Sequence, residues 1–147
     1  IFNDCYEILN KQSALMIFPE GSHDRRRTVR TISKGFTRIL FGALNKYPDL
    51  EINIIPVGVT YQNSSQFPCK VAIHYGTPII ANDLYDSEEI NNSVKLIKEA
   101  VSNQLKELSV HIPLDENYES KLKRLNEHQI DFTEVKETNE YLKTEAV

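Results

Sequence analysis

The sequence predicts an α/β fold, incomplete as it stands, in which a mixed, mainly parallel sheet is flanked by helices. Three observations lead there. Residues 14–18 and 52–60 are short, continuously apolar runs, the composition of strands buried on both faces. A polar, basic loop and a helical pattern separate them, giving a βαβ order whose crossover is right-handed. A third strand pattern then leads into a long amphipathic helix, as layers of helix on sheet require.

Taken in order, Asn3 or Asp4 caps a first helix to about Lys11, with Cys5, Ile8 and Leu9 on one face. Ala14 to Phe18 form the first strand, which Pro19 ends because proline cannot donate to a ladder. A loop runs from Glu20 to Ser33. The helix predicted over residues 34–46 carries Phe36, Ile39, Leu40, Ala43 and Leu44 as a core-facing stripe. Gly35 and Gly42, one above the other on that helix, indicate close packing against the sheet. Residues 52–60 form the second strand, Asn63-Ser64-Ser65 a turn, and residues 69–75 a third strand ended by Gly76-Thr77-Pro78. Asp86-Ser87-Glu88-Glu89 opens a helix in capping-box spacing, and Ile90, Val94, Ile97, Val101, Leu105 and Leu108 continue it for about six turns. A last helix follows Asp115. Beyond Gln129 the chain turns acidic and patternless, as a linker or frayed tail does.

The chain has 147 residues, 40% hydrophobic and 26% charged, which suits one domain with a core of its own. No apolar run approaches the roughly 18 residues of a membrane-spanning helix. Cys5 and Cys69 make neither a disulfide framework nor a zinc site and read as free thiols. Charge is unevenly placed. Residues 115–147 hold nine acids and five bases, the whole net charge of −4, and leave residues 1–114 neutral. Six of the twelve bases before residue 115 lie between Arg25 and Arg38, with no acid among them. One cationic site in a neutral domain suits a small anion better than a long polyanion. Nucleic-acid binding is disfavoured further because no aromatics interleave the arginines for base stacking.

The chemistry concentrates in Phe18-Pro19-Glu20-Gly21-Ser22-His23-Asp24-Arg25-Arg26-Arg27. This stretch leaves the C-terminal end of a predicted strand, where open α/β sheets bind ligands. Gly21 permits a tight turn or the close approach of a ligand. Glu20 can accept from a hydroxyl or order the loop. Arg25, Arg26, Arg27 and Arg30 offer forked donors to phosphate oxygens, the plain alternative being a solvated surface loop. Lys34 opens the next helix, where unpaired amides and the dipole favour an anion.

Phe18-Pro19-Glu20-Gly21 resembles the third conserved block of the glycerolipid acyltransferases, the lysophosphatidic acid and glycerol-3-phosphate acyltransferases, which reads roughly Phe-Pro-Glu-Gly-Thr-Arg-Ser. Ser33-Lys34-Gly35 resembles the Lys-Gly step that opens the following helix in that family. Ile54-Ile55-Pro56-Val57-Gly58 is similar to the fourth block, and Val71-Ala72-Ile73-His74-Tyr75-Gly76-Thr77-Pro78-Ile79 to the later strand ending in Gly-x-Pro. The resemblance covers about residues 1–108. It implies a glycerophosphate acyltransferase-like fold and a role in phospholipid biosynthesis. It also implies transfer of a fatty acyl group from acyl-CoA or acyl carrier protein to a hydroxyl of lysophosphatidate or a glycerol phosphate. The acceptor-binding residues it implies are Glu20, Gly21, Ser22, His23, Arg25, Arg26, Arg27 and Lys34. No metal or other cofactor is expected, and the implied location is the cytoplasmic face of a membrane.

Two departures stand out. The family's Thr-Arg-Ser is Ser22-His23-Asp24 here, so Arg25, Arg26 or Arg27 has to replace the motif arginine. The family's His-x-x-x-x-Asp block, whose histidine is the general base, is expected upstream of Ile1: Thr28 and Ile79 stand where an acid would follow His23 and His74, and His111 with Glu116 lies beyond the last strand. This chain alone is therefore expected to be inactive. The alternative reading is a catalytically silent anion-binding α/β domain.

Overall fold

The computed structural model describes residues 1–144 of the chain; Glu145, counted among the acids of the tail, lies outside the described residues. The chain divides into two compact units that interleave along the sequence. The first comprises Ile1–His23, Thr31–Ile55 and Pro78–Ser102, and the second Asp24–Arg30, Pro56–Thr77 and the chain from Asn103 onward. The sequence reading instead takes residues 1–114 as part of an acyltransferase-like α/β domain and residues 115–147 as a charged helix with an acidic tail or linker.

In the first unit, α1 (Phe2–Asn10) packs on α2 (Gly35–Lys46). The amphipathic stripe buries Phe36, Leu40, Ala43 and Leu44, with Thr37 and Phe41 beside them, while Ile39 is half-buried. Gly42 is a point of close approach, to the neighbouring helix and not to a sheet. Any side chain there would run into the ring of Tyr6. Lys46 donates to Glu7 Oε1 at 2.8 Å, and the Tyr47 hydroxyl donates to the same oxygen. Both contacts hold the Glu7 carboxyl below its usual range, the Lys46 bond most. β1 (Asn53–Ile54) pairs antiparallel with β4 (Ile79–Ile80). Asn82, in the short helix α3 (Ala81–Leu84), accepts from the Ile52 amide at 3.0 Å and donates to the Leu50 carbonyl at 2.8 Å. The start of α4 (Ile90–Leu108) belongs to this unit. The Asp86 side chain accepts from the Glu88 amide at 2.8 Å and its carbonyl from the Glu89 amide at 3.3 Å, so the capping spacing makes a turn ahead of the helix.

Residues 14–18 form no strand. Met16 and Phe18 are 86% and 81% exposed, and neither of the described strand pairings includes these residues. The βαβ unit therefore lacks its first strand, and both described strand pairings are antiparallel where parallel ones were expected. The run predicted over 52–60 is also broken. Pro56 has no amide to give, and the strand divides into β1 and β2 (Val57–Tyr61) on either side of it.

In the second unit, β2 pairs antiparallel with β3 (Val71–Tyr75), Val59 facing Ile73. One face of this hairpin carries Val57, Val59, Tyr61, Val71, Ile73 and Tyr75, all exposed. On the other face Gly58 lies against the backbone of Leu108, too close for any side chain. Ala72 packs under a core of Val110, Ile112, Tyr118, Leu125, Phe132 and Val135. α5 (Tyr118–Glu127) supplies Tyr118 and Leu125 to that core, α6 (Val135–Thr144) supplies Val135, and the segments before and between the two helices supply Val110, Ile112 and Phe132. As far as Thr144, the acidic stretch beyond Gln129 is thus a folded turn and helix, not a frayed tail: Phe132, Val135 and Thr138 are buried. Cys5 and Cys69 are free and half-buried. Among the described residues no helix is long and apolar enough to cross a membrane.

Candidate functional site

The loop after Phe18 begins as a β-turn. Pro19 sets the first central position, and the Gly21 amide donates back to the Phe18 carbonyl at 3.3 Å. Gly21 sits at φ +72°, a left-handed conformation that a side chain would strain. The space around its α-carbon is open, so the backbone torsion and not crowding demands glycine here. The Ser33 amide donates to the Pro19 carbonyl at 2.9 Å and closes the base of the loop. Glu20 is half-buried; Ser22 and His23 are exposed. Lys34 is exposed at the N-cap of α2, and its carbonyl accepts from the Thr37 hydroxyl at 2.8 Å. These five residues belong to the first unit.

Arg25, Arg26 and Arg27 belong to the second, where the loop Asp24–Arg30 is held by a set of backbone bonds. The Arg27 amide donates to the Tyr118 hydroxyl at 2.8 Å, and the Arg27 carbonyl accepts from the Ile112 amide at 2.8 Å. The Val29 amide donates to His111 Nδ1 at 3.0 Å, with the Thr28 hydroxyl 3.3 Å from the same nitrogen. On its other side, the His111 backbone amide donates to the Asn139 side chain of α6 at 3.1 Å.

The neighbouring arginines divide into two roles. The Arg27 guanidinium lies 3.7 Å from the centre of the Phe132 ring and donates to the carbonyls of Tyr61 and Gln62 at 2.8 and 2.7 Å. Burial lowers its pKa from the ordinary value. With its fork on protein carbonyls and its face on an aromatic ring, Arg27 fastens the loop. Gln62 reinforces this corner, accepting from the Phe132 amide at 2.7 Å and donating to the Ile130 carbonyl at 3.3 Å. Arg26 instead is exposed and forks onto Asp24, its Nε 3.0 and 3.1 Å from the two carboxylate oxygens. That pair holds the Asp24 carboxyl far below its usual range and raises the Arg26 pKa. Arg25 is exposed. The loop thus offers Arg25 and Arg26 to solvent and keeps Arg27 for the fold.

Sequence reading missed the residues that hold the loop. His111 reads as a surface histidine, yet it is half-buried with burial, then Lys106, pushing its pKa down. Tyr118, Phe132 and Asn139 lie beyond the apolar pattern that residues 1–108 supply. One signal was present: Phe132, Val135, Thr138 and Leu142 fall at helix-compatible spacing inside the acidic stretch. Among the described residues no cluster of three or more His, Cys, Asp or Glu is placed to hold a metal.

The chain is similar to three fungal proteins. It is 27% identical over 115 residues to glycerol-3-phosphate O-acyltransferase 1 of Saccharomyces cerevisiae, covering 75% of this chain and 15% of that protein. It is 24% identical over 116 residues to glycerol-3-phosphate O-acyltransferase 2 of the same yeast, covering 76% and 16%. An uncharacterized acyltransferase of Schizosaccharomyces pombe is 22% identical over 118 residues, covering 77% and 17%. These similarities support an acyltransferase family for this chain, and two of the three relatives are glycerol-3-phosphate acyltransferases. The chain spans about a sixth of the length of these relatives. No family model matches the chain, and no solved structure does.

Proposed function

We propose that this chain is part of a glycerolipid acyltransferase and that its arginine loop binds the acceptor's phosphate. The acceptor is a glycerol phosphate, with lysophosphatidate as the acylated variant of the same chemistry. The donor is an acyl thioester, acyl-CoA or acyl carrier protein. In the reaction the acceptor hydroxyl oxygen attacks the thioester carbonyl, its proton passes to a general base, and the carbon–sulfur bond breaks to release the thiol. No residue of this chain is assigned as that base. His111 is a poor choice, because its Nδ1 already accepts the Val29 amide.

The observation that carries the reading is the similarity to two glycerol-3-phosphate acyltransferases over three quarters of the chain. Arg25 and Arg26 supply the anion-binding chemistry. Glu20, Gly21, Ser22, His23 and Lys34 remain proposed acceptor residues of the first unit. The mainly parallel α/β sheet remains proposed as well. The apolar, exposed backbone of residues 14–18 has the composition of a strand awaiting a neighbour. Work at a membrane face follows from a lipid product.

The test is calorimetric titration of the chain with glycerol 3-phosphate. Saturable binding is expected, weakened by roughly 10- to 100-fold in the Arg25→Ala/Arg26→Ala variant, the worth of one charge-assisted hydrogen bond. No saturable binding by the unaltered chain, or equal binding by the variant, overturns the phosphate assignment.

A further inference from the structure

We propose that His111 is a positioning residue for the arginine loop, and that its grip on the Val29 amide makes the loop's anion affinity pH-dependent. In its affinity arm this rests on the function proposed above. The loop Asp24–Arg30 carries Arg25 and Arg26 on one side and is tied down on the other. Three of its backbone groups end on the chain between residues 111 and 118: the Arg27 amide on Tyr118, the Arg27 carbonyl on Ile112 and the Val29 amide on His111. Of these three partners only His111 titrates near neutral pH.

The geometry fixes which form of the ring can serve. Nδ1 receives an N–H, so it must carry a lone pair, and the ring must be neutral. A protonated ring would set one donor against another. The Val29 amide, part-buried in this contact, would then lose its acceptor. Burial and the charge of Lys106 favour the neutral form. The loop itself brings Arg27 and Arg30 on either side of Thr28 and Val29. α4 brings Lys106, whose field disfavours the cation, and α6 brings the uncharged Asn139 onto the backbone amide of His111. Burial acts in the same direction and is the larger cause.

The sign follows. The folded pKa of His111 lies below the ordinary 6.5, so the folded state prefers the unprotonated ring. The contact contributes fully above about 6.5 and is lost as pH falls through the lower folded value. Acidification therefore loosens the loop that holds Arg25 and Arg26.

The experiment follows the Val29 amide by nuclear magnetic resonance hydrogen exchange between pH 5 and 7.5, corrected for the intrinsic pH dependence of exchange. Glycerol 3-phosphate is titrated under the same conditions. Three proteins are compared: the unaltered chain, His111→Asn, whose side-chain oxygen can accept without titrating, and His111→Phe, which cannot accept. In the unaltered chain, Val29 protection is expected to fall about 2- to 10-fold on acidification, the worth of one backbone hydrogen bond. Affinity relative to His111→Asn is expected to fall with it, a ratio that cancels the phosphate's own titration. His111→Asn is expected to keep Val29 protected across the range, and His111→Phe to leave it unprotected throughout. Val29 protection that does not change with pH in the unaltered chain, or that His111→Phe leaves intact, overturns the proposal. Should His111→Phe fail to fold, the contrast between histidine and asparagine still decides. Should the unaltered chain bind no glycerol 3-phosphate at any pH, the proposed function fails, and Val29 exchange alone judges the histidine.

Discussion

Arg26 and Arg27 are adjacent, chemically identical and put to opposite uses. Arg26 stands in solvent, paired with Asp24. Arg27 spends its guanidinium on two backbone carbonyls and an aromatic face. An exposed ion pair contributes little to stability, because water screens it and two long side chains must be ordered to make it. A half-buried fork on two carbonyls contributes more, because water screens it less and losing it removes a partner from a partly shielded acceptor. A run of arginines is therefore not one site. Its members separate by what the backbone presents to each, and here that backbone is fastened by residues about ninety positions away in sequence.

The largest expected effect falls on the fastening side. Phe132 is 3% exposed and sits both in the core of the second unit and under the Arg27 guanidinium. Phe132→Ala is expected to cost about 3–5 kcal/mol in urea unfolding, the usual range for a buried phenylalanine. A loss below about 1 kcal/mol would mean that Arg27 and the α6 helix do not depend on this ring.

A smaller effect is expected at the exposed pair. Asp24 occupies the Nε edge of Arg26, the edge that a phosphate would use. Asp24→Asn removes the competing charge and is expected to tighten glycerol 3-phosphate binding several-fold at low salt, with a change in unfolding free energy under about 1 kcal/mol. Weaker binding by this variant would make Asp24 an orienting group and not a competitor.

How far the sequence announced this arrangement depends on the scale of the signal. Helices with a full apolar stripe were legible: residues 34–46 were predicted and α2 runs Gly35–Lys46, burying Phe36, Leu40, Ala43 and Leu44 of the expected stripe and half-burying Ile39. The α4 helix and the turn at Gly21, with its positive φ, were legible for the same reason, since periodicity and backbone torsion are local properties. Residues 14–18 were not, because an apolar run identifies a strand only when a partner strand is there to pair with it. The stretch after Gln129 failed in the opposite way. Its charges hide a sparse set of buried residues, Phe132, Val135 and Thr138, whose value comes from a core assembled by distant segments. At the site, the three adjacent arginines were visible as a cluster, but nothing local could separate Arg26 from Arg27. That distinction comes from Tyr61, Gln62, Tyr118 and Phe132, brought to the loop by folding.

The division between the two arginines is tested most directly by measuring Arg26→Ala and Arg27→Ala side by side, each for melting temperature and for glycerol 3-phosphate affinity. Arg26→Ala is expected to melt within a few degrees of the unaltered chain and to bind about tenfold more weakly, as the loss of one charge-assisted contact to a partly solvated phosphate implies. Arg27→Ala is expected to melt markedly lower, with its binding loss following the loss of folded protein. An Arg26→Ala protein that binds as the unaltered chain does, beside a stably folded Arg27→Ala protein that does not bind, would contradict the assignment and exchange the two roles.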